Sequence, residues 1–374
     1  MPDSYDVIVV GLGAMGSASA YHLARQGKRV LGLDQFAPPH TMGSSHGKSR
    51  IIREAYFEHP AYVPLVKRAY ELWADLERVS GQPLLRITGG VMIGRPDSTL
   101  VRGALASAEQ HQLAHEVLDA QTLRTRFPMF HPAPDMVGVW EPRAGVLQPE
   151  ACVAAHLNAA RLHGATLLES QPLVRWTSDG NSVSVHTAQG HYRADQLLFT
   201  AGAWIGSLVP ELAHAFKVER QAVYWFSPPG AHNPFAQSDC PIHLWEWAKG
   251  QFIYGFPDTG DGIKVAVHHG GEITSPAQLQ RTVSNEEVQH VRSLMAQFLP
   301  EANGSLRASE VCMYTNTADE HFWIDHHPQH TNVLIASPCS GHGFKFSCVI
   351  GEALAELLGH GKSRHDLSLF RARG

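Results

Sequence analysis

Three glycines and an aspartate near the start of the chain have the types and spacing to hold a dinucleotide. Gly11-Leu12-Gly13-Ala14-Met15-Gly16 follows an apolar, β-branched run at 5–10 and opens a helix expected over 14–26, with Gly27 as its stop. Residues 29–33 read as a second strand, and Asp34 ends it at the spacing of a Rossmann-type fingerprint, about 20 residues on. Each residue type has a physical reason. Gly11 permits the tight turn, Gly13 lets the backbone approach a pyrophosphate, and Gly16 lets helix and strand pack closely. The amides of Ala14 and Met15 lie at the helix N-terminus, where free N–H groups and the helix dipole favour phosphate. Asp34 would accept from ribose hydroxyls. A glycine turn without a ligand is the competing reading, and the full strand–turn–helix–strand–acid context argues against it.

An acid at that strand end suits NAD and FAD alike. The chain beyond Asp34 discriminates between them. A nicotinamide enzyme keeps building βαβ units. Here the chain passes into a loop at 38–48 rich in Pro, Gly, Ser and His, then into a long amphipathic helix with Val63, Val66, Ala69, Tyr70, Trp73 and Leu76 at helical spacing. That pattern points to FAD.

The remaining elements must bring other groups to this turn. Residues 150–163 form a helix behind Pro149, and short strands come next at 166–169, 174–177, 182–187 and 196–200, with Asp179-Gly180 and Gln189-Gly190 as turns. Two more strands are expected at 252–255 and 262–268. Ser284 and Glu287 make a capping box ahead of a helix that stops before Pro300. A strand at 332–337, a glycine turn at 341–343 and a helix to about 358 close the chain. The fold class is therefore α/β: a Rossmann-type, glutathione-reductase-like FAD-binding domain with an inserted α+β substrate domain carrying an antiparallel sheet. The expected division is 1–85, 142–217 and 308–374 for FAD, with 86–141 and 218–307 for substrate.

Bulk properties exclude several classes. The 374 residues are 44% hydrophobic and 17% charged, which reads as globular, and the net charge of -5 without a basic run argues against nucleic acid or an anionic membrane. No apolar run reaches the ~20 residues of a spanning helix. Five scattered cysteines and the lack of a secretory pattern lead to the expectation of a cytoplasmic protein. Neighbouring histidines at 268–269 and 326–327 point to opposite faces of a strand, so no metal is expected.

At Pro38-Pro39-His40 and Ser45-His46-Gly47-Lys48-Ser49-Arg50-Ile51-Ile52-Arg53 the sequence resembles the monomeric sarcosine oxidase family, which includes the N-methyltryptophan oxidases. The likeness covers nearly the whole chain. It continues at Tyr254-Gly255-Phe256-Pro257, at Ile263-Lys264 with His268, and at Val311-Cys312-Met313-Tyr314-Thr315. It is strongest from Asp319-Glu320-His321-Phe322 through Ser340-Gly341-His342-Gly343-Phe344-Lys345. The resemblance implies an FAD oxidase that takes a hydride from the N-methyl carbon of a secondary amino acid, sarcosine foremost. The imine would hydrolyse to amino acid and formaldehyde, and oxygen would become hydrogen peroxide. N-methyltryptophan, a cyclic amino acid, or a non-oxygen electron acceptor are the alternatives. Oligomeric state stays open, a monomer included.

The resemblance also implies residue roles. Cys312 matches a cysteine bonded covalently to the flavin; a buried structural thiol is the competing role. Lys264 matches the lysine that activates oxygen by stabilising developing superoxide. Arg53 and Lys345 match the pair that binds the substrate carboxylate, against which stands a salt bridge of Arg53 to Glu54 or Glu58. His46, Ser49 and Arg50 match the loop facing the flavin, and His268, Tyr254 and Tyr314 the pocket walls. Ser45, Val174, Gly202, Gly341, Gly343 and Phe344 are expected beside the cofactor, with Val174 near the adenine. Ser45, Lys48, Ser49 and Glu54 depart from the family's usual residues, and the changed local charge at Lys48 and Glu54 puts pH optimum and substrate preference in question, though not cofactor binding.

Overall fold

Val7 to Val10 are buried without a polar side chain among them, so their strand belongs inside a sheet. The computed structural model, which describes residues 4–230, 232–236 and 240–372, places it there. Ser4–Val10 pairs in parallel with Val30–Leu33 on one side and His191–Phe199 on the other. Thr166–Leu168 extends the sheet beyond Val30–Leu33, and His330–Ser337 joins His191–Phe199 in parallel. The strands Leu173–Ser178, Val183–Thr187 and Trp323–His327 add antiparallel edges, completing eight. Helix Ala14–Arg25 packs against Pro149–Leu162 and Ser347–His360 on one face of this sheet. A Cβ on Gly351 would lie 2.6 Å from the Ala18 carbonyl carbon, so two of these helices touch backbone to backbone there.

A second sheet has nine strands. Its path runs Ile273–Thr274, Lys217–Phe226, Ile263–His268, Gln251–Gly255, Ile242–Ala248, Gly90–Gly94, Val137–Glu141 and Glu116–Asp119. Leu306–Asn316 pairs along the length of Lys217–Phe226. The sheet is antiparallel as expected except at one place: Ile242–Ala248 runs parallel to Gly90–Gly94. A small three-stranded sheet of Arg50–Ile52, Gly145–Leu147 and Leu85–Ile87 completes the strand inventory of the described residues.

The strand Leu306–Asn316, which carries Cys312, thus lies in the second sheet, and a boundary at 307/308 cuts through it. Elsewhere local signals and elements agree. Ser284 and Glu287 make both bonds of the capping box on Asn285–Phe298. Gly81, at φ 67°, ends Val63–Ser80. The C-terminal helix differs in detail: a 3-10 turn, Phe344–Phe346, precedes Ser347–His360, so Lys345 sits on that turn.

Candidate active site

One cavity runs from the glycine turn and Asp34 to the face of the second sheet. Gly11 has φ 93°, and a Cβ there would lie 2.6 Å from the Thr200 carbonyl oxygen. A Cβ on Gly16 would lie 1.7 Å from the Gly11 carbonyl oxygen, so Gly16 serves helix–turn packing and does not line the cavity. Gly13, Ala14 and Met15 do line it. The Ala14 amide donates to Ser45 Oγ at 3.1 Å, which puts a polar side chain over the helix N-terminus. Asp34 accepts from the Leu12 amide at 2.7 Å and the Phe36 amide at 2.9 Å, so it braces the turn as well as facing the cavity. Gly202, Gly341, Gly343 and Phe344 line the same space.

Val174 does not. It is 66% exposed, and Gln171, Pro172 and Leu173 line the cavity in its place. The pairing register shifts between Leu173 and Arg175, a bulge that turns Val174 outward.

The loop carrying His46, Ser49 and Arg50 is held from several sides. Glu150 accepts from the amides of Gly47 and Lys48, at 2.8 and 3.1 Å. Arg50 donates to the carbonyls of Ser49 and Ser44. Lys264 is 2% exposed, and its Nζ donates to Gly47 O at 2.6 Å, Ser49 O at 3.0 Å and Ser49 Oγ at 3.2 Å. Three acceptors match the three N–H donors of an ammonium. Burial, aided by Arg50, pulls the Lys264 pKa well below the usual lysine range. Lys264 is not itself on the cavity lining; it sits under the loop that is. His46 is buried, hydrogen-bonds Glu310 through Nδ1 at 3.0 Å, and leaves Nε2 buried without a protein partner. Lys48, one of the departures from the family pattern, points outward to a half-exposed pair with Asp261.

The other end of the cavity collects charge. Arg53 is 3% exposed and donates to both oxygens of Glu58 at 2.7 Å, so the competing salt bridge exists, with Glu58 as its partner. Its guanidinium also lies over the rings of Tyr56 and Phe57. Burial opposes both charges, but their mutual attraction outweighs it: Arg53 is raised and Glu58 lowered from their ordinary values. Lys345 donates to His342 O at 2.7 Å and faces Tyr56 Oη at 3.5 Å. Burial and then Arg53 bring its pKa down to about 7. Arg53, Glu58 and Lys345 all line the cavity. With Lys345 protonated the trio carries one net positive charge, which suits an anionic ligand. Glu54 lies apart, its backbone amide held by Glu141 and its carboxylate 3.4 Å from Arg143.

Above these lie His268, Tyr254, Tyr314 and Cys312, all cavity-lining. His268 Nδ1 is 3.1 Å from Tyr314 Oη. Burial, then His269, holds His268 well below its ordinary pKa, so it is neutral at pH 7. Burial pushes Tyr254 up to about 12, so it keeps its proton. Cys312 and Tyr314, two apart on one strand, share a face as their spacing requires. Burial raises the Cys312 thiol pKa, while Arg50 and Lys264 pull it back. In the sequence Glu58 stands out only as a rival partner for Arg53, and Glu150 and Glu310 carry no motif at all; their partners lie 103 and 264 residues away.

These residues fit an FAD. The glycine cradle lies at one end of the cavity. The unpartnered His46 Nε2 and the cysteine, arginine and lysine set lie at the other, all facing one space. Residues 6–357 match the family described as FAD dependent oxidoreductase. The chain is 47% identical over 377 residues to a monomeric sarcosine oxidase of Streptomyces avermitilis, covering 100% of this chain and 98% of that one. It is 35% identical to an N-methyl-L-tryptophan oxidase of Salmonella agona, with 98% of each covered. Its fold is similar to that of NikD, an amino acid oxidase of nikkomycin biosynthesis, with a TM-score of 0.86 at 22% identity over 99% of this chain and 98% of that one.

Proposed function

The chain belongs to the monomeric sarcosine oxidase family of FAD-dependent oxidoreductases, and on that premise we propose that it oxidises the N-methyl carbon of a small secondary amino acid, sarcosine foremost. Amino acid, formaldehyde and hydrogen peroxide are the products, with oxygen as acceptor. The observation that carries this reading is the cavity-lining trio of buried Arg53 and Lys345 with half-buried Glu58, whose net positive charge, with Lys345 protonated, a substrate carboxylate neutralises.

Bound FAD supplies a two-electron acceptor for the hydride. The protein supplies the rest. Arg53 and Lys345 hold the carboxylate and so fix where the N-methyl group lies. The same cations, with Arg50, disfavour a protonated amine nearby, and the neutral amine is the form whose lone pair supports hydride loss. Neutral His268, with Tyr254 and Tyr314, closes the wall without adding charge. Lys264, held as an ammonium by its three loop acceptors against the cost of burial, offers a cation where oxygen takes up electrons. Cys312 is the proposed point of covalent attachment. In this arrangement the parallel sheet holds the nucleotide and the second sheet walls the substrate.

Anaerobic titration of the purified yellow protein with sarcosine, N-methyltryptophan, proline and pipecolate tests the proposal. Bleaching of the flavin band by sarcosine, with peroxide formed under air, is expected. No bleaching by any N-methyl amino acid would end it.

A further inference from the structure

We infer that Glu310 is the positioning residue that equips His46 to deliver a proton to the nascent peroxide, an inference that rests on the oxidase reading above. Glu310 and His46 come from elements far apart in sequence, yet Nδ1 and Oε2 meet at 3.0 Å. The two ends of this pair differ. His46 is 2% exposed, lines the cavity, and has its Nε2 buried without a protein partner. The Glu310 side chain is 33% exposed and reaches solvent. A Cβ built on Gly47 would sit 3.5 Å from both Arg50 Nη1 and Lys264 Nζ and 3.9 Å from Glu310 Oε2. The pair therefore shares one corner with the lysine proposed to draw electrons to oxygen.

The chemistry there lacks one proton. Oxygen becomes hydrogen peroxide by taking two electrons and two protons. Bound reduced FAD would supply both electrons and one of those protons, the equivalent of a hydride, so the second proton must come from the protein or solvent. Lys264 neutralises charge, but its three N–H bonds are already made to the loop. The imidazolium Nε2–H of His46 supplies the second proton; the ring stays neutral with Nδ1–H on Glu310, and solvent water reloads it before the next turnover. Lys264, Arg50 and Lys48 around the pair oppose an imidazolium. Glu310, with Glu150 behind the loop, offsets them, while the Cys312 thiol adds no charge. Removing the Glu310 charge leaves His46 among cations.

Glu310→Gln in the FAD-loaded protein keeps a hydrogen-bonding side chain and removes the charge. Two readouts apply. In imidazole nitrogen spectra, with the His46 signal identified by its loss in His46→Asn, the His46 Nδ1 resonance is expected to move as its carboxylate partner is replaced by an amide. In stopped flow, reoxidation by oxygen is expected to slow about tenfold, a fraction of the ~10²–10⁴ that general acid–base catalysis contributes, with anaerobic reduction by sarcosine changed less than about twofold. Glu310→Asp is expected to restore part of both. An unmoved Nδ1 resonance, or equal slowing of both half-reactions, overturns the inference. Reoxidation can also be read on dithionite-reduced protein, so a wrong substrate leaves this test standing.

Discussion

Lys345 is held near neutrality by burial and by Arg53, with a pKa of about 7 in the free protein, while Glu58 pulls the other way. Its charge should therefore control carboxylate binding within an accessible pH range. Below pH 7 the ammonium is present; as pH rises through 7 it is lost. A bound carboxylate favours the charged form and raises the lysine's pKa in the complex, so binding above pH 7 must first load a proton. The dissociation constant of a simple carboxylate such as propanoate, which has no amine to titrate, should rise about tenfold per pH unit above 7. Between pH 6 and pH 9 that is roughly a hundredfold, or ~2.7 kcal/mol at about 1.36 per unit. Arg53 stays charged throughout and contributes no slope. The assay is perturbation of the flavin absorbance on titration with propanoate at several pH values. Lys345→Met should bind weakly and with a flat profile over the same range. A flat profile in the native protein, or an unchanged slope in Lys345→Met, would refute the assignment.

The same geometry sets other outcomes. The native protein should keep its flavin through acid precipitation, and Cys312→Ala should release it; free FAD from the native protein would remove the covalent link. Lys264→Met should slow reoxidation by oxygen far more than anaerobic reduction, measured by stopped flow, by at least the 10²-fold typical of a lost charge-stabilising group. Equal slowing of both steps would assign Lys264 to the loop's architecture alone. Gly16→Ala places a methyl 1.7 Å from the Gly11 carbonyl oxygen, so the turn must move. The flavin-to-protein absorbance ratio should fall to near zero, and a full complement of FAD would show that the turn tolerates the shift.

Local features were legible in the sequence because their causes are local. The glycine turn, the Ser284 capping box and the Gly27 stop each depend on residues within a few positions, and each appears where its signal lies. Val174 shows how thin that margin is. Strand periodicity alternates faces, so a bulge of one residue is enough to send Val174 outward and leave Leu173 on the cavity. Long-range pairs left no trace. Nothing near His46 announces Glu310, and nothing near Gly47 announces Glu150, because a carboxylate in a strand or at a helix start reads as a solvated charge until the fold supplies its partner. The Cys312 strand was similarly hidden: its burial suits either sheet, and only its pairing with Lys217–Phe226 places it in the second.

That placement has a consequence for how the protein acquires and keeps its flavin. The glycine cradle belongs to one sheet and Cys312 to the other. A cofactor seated in the first and bonded to the second would act as a covalent cross-link between two halves of the chain that otherwise meet through packing, hydrogen bonds such as those of Lys264 to the Gly47–Ser49 loop, and connecting segments. Its occupancy would then be set once, at maturation, and would not track the free FAD concentration afterwards. Loss of the flavin and opening of the two halves would become a single event, so resistance to unfolding would report on how completely a preparation had matured.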